Sequence, residues 1–354
     1  MSRFFSEKYS SLVPYTPGEQ PKDTQYIKLN TNESPYKPSP LAIDLAQRAA
    51  CNLELYSDPT CSELVKTAAE RFNVSEDEII FTNGSDEILN FAFMAFCDND
   101  TPAVFADITY GFYKVFAQIN NVPSKVIPLN SDFTICVDDY KNANGTVFIA
   151  NPNAPTGIAL SLEKIEEIVV SNPDNIVVID EAYVDFGAES AVKLTKKYPN
   201  LLVTQTFSKS RSLAGGRLGF GIASKEIITD LNTVRYSTNP YNVNSVTMAA
   251  GIGALKNNEY FNTNCKKIIK TREWTENELK NLGFVMTDSL TNFLFAKHPD
   301  YSGKEIYLKL KEKGVLVRHF DTDKLTEYNR ITIGSDEQMA IFIEKLKEVL
   351  EELK

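Results

Sequence analysis

The chain has 354 residues, 43% of them hydrophobic, enough to bury a large core and to build one large domain with a smaller companion. A formal net charge of −10 argues against recognition of nucleic acid through a broad basic face, and no apolar run approaches the roughly 20 residues needed to cross a bilayer. Five scattered cysteines (Cys51, Cys61, Cys97, Cys136 and Cys265) never form a CxxC pair, and neither of the two histidines, His298 and His319, has a neighbourhood suggestive of catalysis or metal binding, so a disulfide framework, a metal centre and a serine–histidine triad are not expected.

The opening MSRFFSEKYSSLVPYTPG has neither the apolar stretch nor the small-residue cleavage site of a signal peptide; with the reduced thiols, this predicts a cytoplasmic protein. FTNGSDEILNFAF, from Phe81, pairs a glycine turn with an amphipathic helix, which aims the backbone N–H groups of Ser85 and Asp86 at whatever lies above, an anion site or simply a helix cap. Strands are predicted at Ala103–Ala106, Val147–Ala150, Ile176–Ile179, Leu201–Thr204 and Phe220–Ala223, with helices such as Ser161–Val170 and Lys225–Val234 between them. Continuous apolar strands alternating with helices predict an α/β fold: a large domain with a mostly parallel central sheet flanked by helices. The last third changes character, with a strand at Asn292–Ala296, a helix around Lys304–Lys313, a short strand at Arg330–Ile333 and a final helix. In that helix Met339, Phe342, Ile343, Leu346, Val349, Leu350 and Leu353 repeat at helical spacing. We assign residues 45–255 to the large domain, and residues 1–44 with 256–354 to a smaller α+β domain.

In an open parallel sheet, ligands sit beyond the carboxyl ends of the strands. Asp180 ends the apolar run of NIVVIDEAYVDF, so a buried strand can deliver its carboxylate there; a solvated or capping aspartate is the other reading. TFSKSRSLAGGRLGFG (206–221) follows another apolar run and supplies Lys209, the hydroxyls of Thr206 and Ser208, and Arg217 within a dozen residues. A guanidinium fork and hydroxyls suit a phosphate dianion, although a surface lysine in a serine-rich turn has the same local look.

TFSKSRSLAG resembles the lysine motif of class II aminotransferases dependent on pyridoxal 5'-phosphate (PLP). NPNAPTG (Asn151–Gly157), DEAY (Asp180–Tyr183) and RITIG (Arg330–Gly334) stand in that family's order. PYTPGEQP, LNTNESPY and LYSDP (Leu55–Pro59) resemble its histidinol-phosphate aminotransferase branch, and the motifs run from Tyr15 to Arg330. The resemblance implies a fold-type I PLP enzyme with Lys209 as Schiff-base lysine and proton carrier. It further implies Asp180 on the pyridine nitrogen, Tyr183 and Asn153 at the phenolic oxygen, and Tyr110 stacked on the ring. Ser85, Asp86, Thr206, Ser208 and Arg217 are implied to hold the phosphate, with Tyr56 reaching the neighbouring subunit's cofactor in a homodimer. Arg330 is implied to clamp the glutamate carboxylate, and Tyr15, Asn32 and Arg318 the phosphate of histidinol phosphate, with 2-oxoglutarate as amino acceptor. The family often reads NPNNPTG; here the second asparagine is replaced by Ala154. The same scaffold also serves aromatic amino-acid aminotransferases and threonine-phosphate decarboxylases. A PLP-binding protein without turnover is the reading from another class, against which the complete set of catalytic positions stands.

Overall fold

A computed structural model describes residues 2–10, 12–15, 18–21 and 26–354. Thr16 and Pro17 of the PYTPGEQP motif lie outside the described residues. The N-terminal part carries a two-residue strand, β1 (Ile27–Lys28), and two helices, α1 (Pro40–Ala49) and α2 (Ser62–Phe72). A seven-stranded sheet follows, built from β2 (Ile79–Thr82), β3 (Ala103–Ala106), β4 (Ser124–Ile127), β5 (Thr146–Ala150), β6 (Val177–Asp180), β7 (Leu201–Thr206) and β8 (Gly219–Ile222). Between its strands run α3 (Ser85–Phe96), α4 (Phe112–Asn120) and α5 (Leu162–Val170), and α6 (Lys225–Thr238) follows β8.

The strand order is β2-β8-β7-β6-β5-β3-β4. From β7 to β4 all neighbours pair in parallel, and β8 runs against both β7 and β2. The exception has a local cause. Parallel returns usually run through a crossover helix, whereas the lysine loop between β7 and β8 holds only a three-residue 3₁₀ turn, Ala214–Gly216, and doubles back. Successive residues of each strand point to opposite faces. Val177 and Ile179 pack with α5, α2 and α1, while Val178 faces α3, α4 and α6, and Asp180 shares that second face by register. The five strands expected from the sequence are all present; β6 runs one residue further than the apolar pattern, so that its last residue is the acid itself.

After β8 and α6 the chain continues through α7 (Ser245–Lys256) and the long α8 (Asn258–Asn281) into a second layer. This contains β9 (Val285–Met286), β10 (Phe293–Lys297), α9 (Gly303–Glu312), β11 (Val315–Leu316), β12 (Arg318–His319), β13 (Asn329–Thr332) and α10 (Asp336–Leu353). Its antiparallel sheet has the order β12-β13-β10-β9, and the apolar face of α10 closes the core beneath it. The N-terminal segment returns here, with β1 pairing in parallel to β11 and Leu29 O accepting from Thr332 N.

One glycine fixes how the sheet meets α3. A Cβ on Gly219 would lie 2.3 Å from Ser85 N and 2.5 Å from the carbonyl carbon of Gly84, backbone atoms that cannot move independently of the helix. Gly219→Ala should therefore destabilise the protein by about 1–3 kcal/mol, measured by urea denaturation. A change within error would mean that the first turn of α3 can yield.

Candidate active site

Asp180 closes β6 at the carboxyl edge of the sheet and is 4% exposed. Tyr113 Oη donates to its Oδ2 at 3.0 Å and Thr204 Oγ1 to its Oδ1 at 3.2 Å. These are neutral donors, and burial, seconded by the charge of Asp86, pushes the carboxyl up to about 6. Among the described residues no cation pairs with this carboxylate, which suits it to a cationic partner supplied from the cavity it borders. The next residue, Glu181, serves the scaffold: it accepts from Ser190 Oγ, Ala191 N and Gln205 Nε2, and burial pushes it up to about 7.

Asp180 borders a cavity of about 450 Å³, lined also by Lys209, Tyr183, Tyr110, Ala154, Ser85, Asp86, Thr206, Ser208 and Arg217. Lys209 Nζ donates to the carbonyl of Thr31 at 3.3 Å and lies 5.7 Å from the centroid of the Tyr183 ring. Tyr183 Oη accepts from Asn32 Nδ2 at 3.0 Å, which leaves its own proton available to a further acceptor. Ala154 puts only a methyl group on this wall, so Tyr183 is the donor that remains.

A cup for an anion is built at Ser85, the first residue of α3. Gly84 precedes it with φ +81°, and a Cβ there would lie 2.6 Å from Arg217 Nη2, so glycine lets the guanidinium sit against the helix start. Thr206 Oγ1 donates to Ser208 Oγ at 3.0 Å, and Arg217 Nη1 reaches the same Ser208 oxygen at 3.4 Å. Asp86 turns its carboxylate to protein donors: Arg217 Nη2 at 3.0 Å and Tyr110 Oη at 2.6 Å. Burial, then the Asp86 charge, holds the Tyr110 phenol well above its ordinary range. The donor set fits PLP: a cationic nitrogen at Asp180, an aldehyde within reach of Lys209 and a phosphate at the cup.

A second cavity of about 790 Å³ shares Thr31, Tyr110, Ala154, Tyr183 and Lys209 with the first and extends to Tyr15, Lys114, Arg318 and Arg330. Arg318 and Arg330 are directly opposed across β12 and β13. Their guanidinium carbons lie 5.5 and 5.8 Å from the centroid of one ring, Phe320. Arg330 Nη2 donates to Asn30 O at 2.9 Å, its Nε has no hydrogen-bond partner among the described residues, and burial, with Arg318 beside it, pushes its pKa down. Opposed like charges cost energy in an antiparallel pair, and anionic groups between them remove that cost. Tyr15 packs on Phe112 with ring centroids 4.4 Å apart at the same mouth.

Two asparagines sit differently from the sequence reading. Asn153 does not border the first cavity: its Nδ2 donates to Ile108 O and Thr156 Oγ1 and its Oδ1 accepts from Thr109, so its amide is consumed in the loop. Asn32 lines the second cavity, but its amide is anchored between Tyr183 Oη and Thr332 Oγ1, which makes it a positioning residue for Tyr183. Tyr56, expected at the neighbouring subunit's cofactor, is 85% exposed and stacked on Tyr241 with centroids 4.6 Å apart, and it borders neither cavity of its own chain. Tyr113 and Thr204, which hold Asp180, were not singled out; the spacing of Tyr113 three residues after Tyr110 was the available signal. Among the described residues no cluster of metal-ligating side chains is found, and no helix is long and apolar enough to cross a membrane.

The chain matches the family "Aminotransferase class I and II" over residues 24–346. A histidinol-phosphate aminotransferase from Brachyspira hyodysenteriae is 53% identical over 352 residues, covering 99% of each chain. One from Clostridium botulinum is 47% identical over 354 residues, covering 100% of each. The fold is that of a Sinorhizobium meliloti histidinol-phosphate aminotransferase solved in complex with pyridoxal-5'-phosphate (TM-score 0.91, 22% identity, covering 100% of this chain and 99% of that one).

The Asp180 carboxyl has a consequence for stability. Its folded-state pKa is raised, so the folded protein holds this proton more tightly than the unfolded chain does. The stabilisation that the proton confers is complete below about pH 4 and is lost as the pH rises through about 6. Between pH 4 and pH 8, cofactor-free Asp180→Asn should gain about 3 kcal/mol relative to the cofactor-free parent, read from urea midpoints. A difference independent of pH would contradict a costly buried charge.

Proposed function

The chain belongs to the class I and II aminotransferases, a PLP-dependent enzyme family, and from that membership we propose that it transfers the amino group of histidinol phosphate to 2-oxoglutarate, in histidine biosynthesis. The observation that carries the substrate is the cross-strand pair Arg318 and Arg330 on the wall opposite Lys209. A substrate phosphate and a co-substrate carboxylate are both anions that such a pair accommodates. Full-length identities of 47–53% to relatives named for histidinol phosphate support the same assignment. We take residues 45–255 as the cofactor lobe and residues 1–44 with 256–354 as the substrate lobe. Lys209 from the first and Arg330 from the second border one cavity, which supports that division.

Bound PLP supplies an electron sink for the carbon that bears the amine. Asp180 keeps the ring nitrogen protonated, since opposite charges in a low-dielectric site favour both ionised forms. Tyr113 and Thr204 fix the carboxylate, Tyr183 donates its phenolic proton into the site, and Asn32 fixes Tyr183. Ser85, Thr206, Ser208 and Arg217 would hold the cofactor phosphate, with Arg217 also paired to Asp86. Lys209 Nζ would hold the cofactor and, once freed by the incoming amine, would be the group placed to accept and return a proton at the substrate carbon. The amine donor, through its phosphate at Arg318, and the keto acid, through its carboxylate at Arg330, would occupy this one cavity in turn, which gives ping-pong kinetics.

Tyr56 projects away from its own cavity, and Leu53 and Leu55 beside it are also exposed. These features support a homodimer in which Tyr56 reaches the neighbouring subunit's phosphate.

An amine-donor panel with 2-oxoglutarate tests the substrate: histidinol phosphate should far exceed phenylalanine, and threonine phosphate should release no carbon dioxide. Phenylalanine as the best donor, or carbon dioxide release, would replace this reading with one of its two relatives.

Loss of one charged hydrogen-bonding partner costs about 1.5–3 kcal/mol. Arg318→Ala should thus raise KM for histidinol phosphate roughly 10- to 150-fold and that for glutamate far less. Equal losses would count against the division of labour.

Ala154→Asn adds a donor beside Tyr183 and should lower the pH at which the visible absorption of the holoenzyme changes. An unmoved midpoint would show that residue 154 does not reach that oxygen.

A further inference from the structure

Arg211 lies two residues past Lys209 and is 6% exposed. Among the described residues it has no hydrogen bond and no ion pair, and its Nη1 is buried without a partner. The guanidinium sits 4.2 Å from the centroid of Phe261 and 5.4 Å from that of Phe207. Those ring faces offset part of the cost of burial but satisfy none of its five N–H donors.

The side chain borders a small cavity of about 10 Å³ behind the lysine loop, shared with Ser39, Ser210, Ser212 and Asn257. That is room for one water-sized body, and not for a phosphate, a sulfate or an organic acid. Asn257 is the N-cap of α8, its side chain accepting from Tyr260 N, so the positive end of a 24-residue helix meets the same cavity. The carboxyl end of α7 also borders it through Ala254, with its Gly253 carbonyl accepting from Ser39 Oγ at 3.4 Å. Asp185, the nearby carboxylate, accepts from Ser210 Oγ at 2.5 Å and forms no ion pair with Arg211.

A buried cation with unmet donors, a helix N-terminus and a single-atom cavity have one common complement. We propose that this cavity is a binding site for one small monovalent anion, chloride in size and charge. It would tie the loop that carries Lys209 to the start of α8, the helix that leads into the substrate lobe.

Crystals of the holoenzyme grown in bromide should show an anomalous peak in this cavity. In solution, 0.2 M sodium chloride should raise the Tm of the holoenzyme by ~2 °C or more over sodium gluconate at equal ionic strength. Arg211→Met should abolish that difference. A water in the cavity with no bromide peak overturns the proposal, as does a chloride effect that persists in Arg211→Met. If the variant does not fold, the bromide crystals of the unchanged protein decide alone.

Discussion

A carboxylate buried without a cation of its own is the constraint around which this active site is arranged. Taking Asp180 out of water costs energy that two hydroxyl donors do not fully return, and its carboxyl titrates near 6 as a result. The sheet makes the burial possible. A parallel strand covered on both faces can deliver an acid at its carboxyl edge, and α4 supplies Tyr113 to that edge. A ligand that brings a positive nitrogen to this point removes the cost, so binding energy goes into fixing the ring's protonation state. The cup at Ser85 and Arg217 does the same for the ligand's negative end. The cavity is therefore polarised before anything enters it.

The substrate wall follows a parallel logic with the sign reversed. Arg318 and Arg330 are held opposite one another over Phe320, so two guanidinium groups border the second cavity from neighbouring strands. Because β12 and β13 belong to the second sheet while Lys209 belongs to the first, an anion on those arginines also bridges the two layers. The N-terminal segment adds a fixed link: Asn32 joins Tyr183 on one side to Thr332 on the other.

What the sequence disclosed was what is local. Strands of four to six apolar residues, the acid that ends one of them and the lysine loop that follows another were legible because each depends on neighbours in the chain. The lysine's role came from the family resemblance, since a lysine in a serine-rich turn says little alone. The reversed direction of β8 was not legible, because it depends on the loop carrying no crossover α-helix rather than on any pattern inside the strand. The hydrogen-bond partners of Asn153 and Asn32 were not legible for a related reason. An asparagine in a motif looks available, but its amide is committed by partners 45 and 300 residues away. Arg211 reads as an ordinary basic residue beside Lys209 until α8 is seen to bury it under Phe261.

Labelling the ring nitrogen of the cofactor with nitrogen-15 and following its chemical shift in the holoenzyme from pH 5 to pH 9 tests the central relation between Asp180 and that atom. The expected result is a nitrogen that stays protonated across the whole range and loses its proton within it in Asp180→Asn. A ring nitrogen that titrates alike in both proteins would contradict the account.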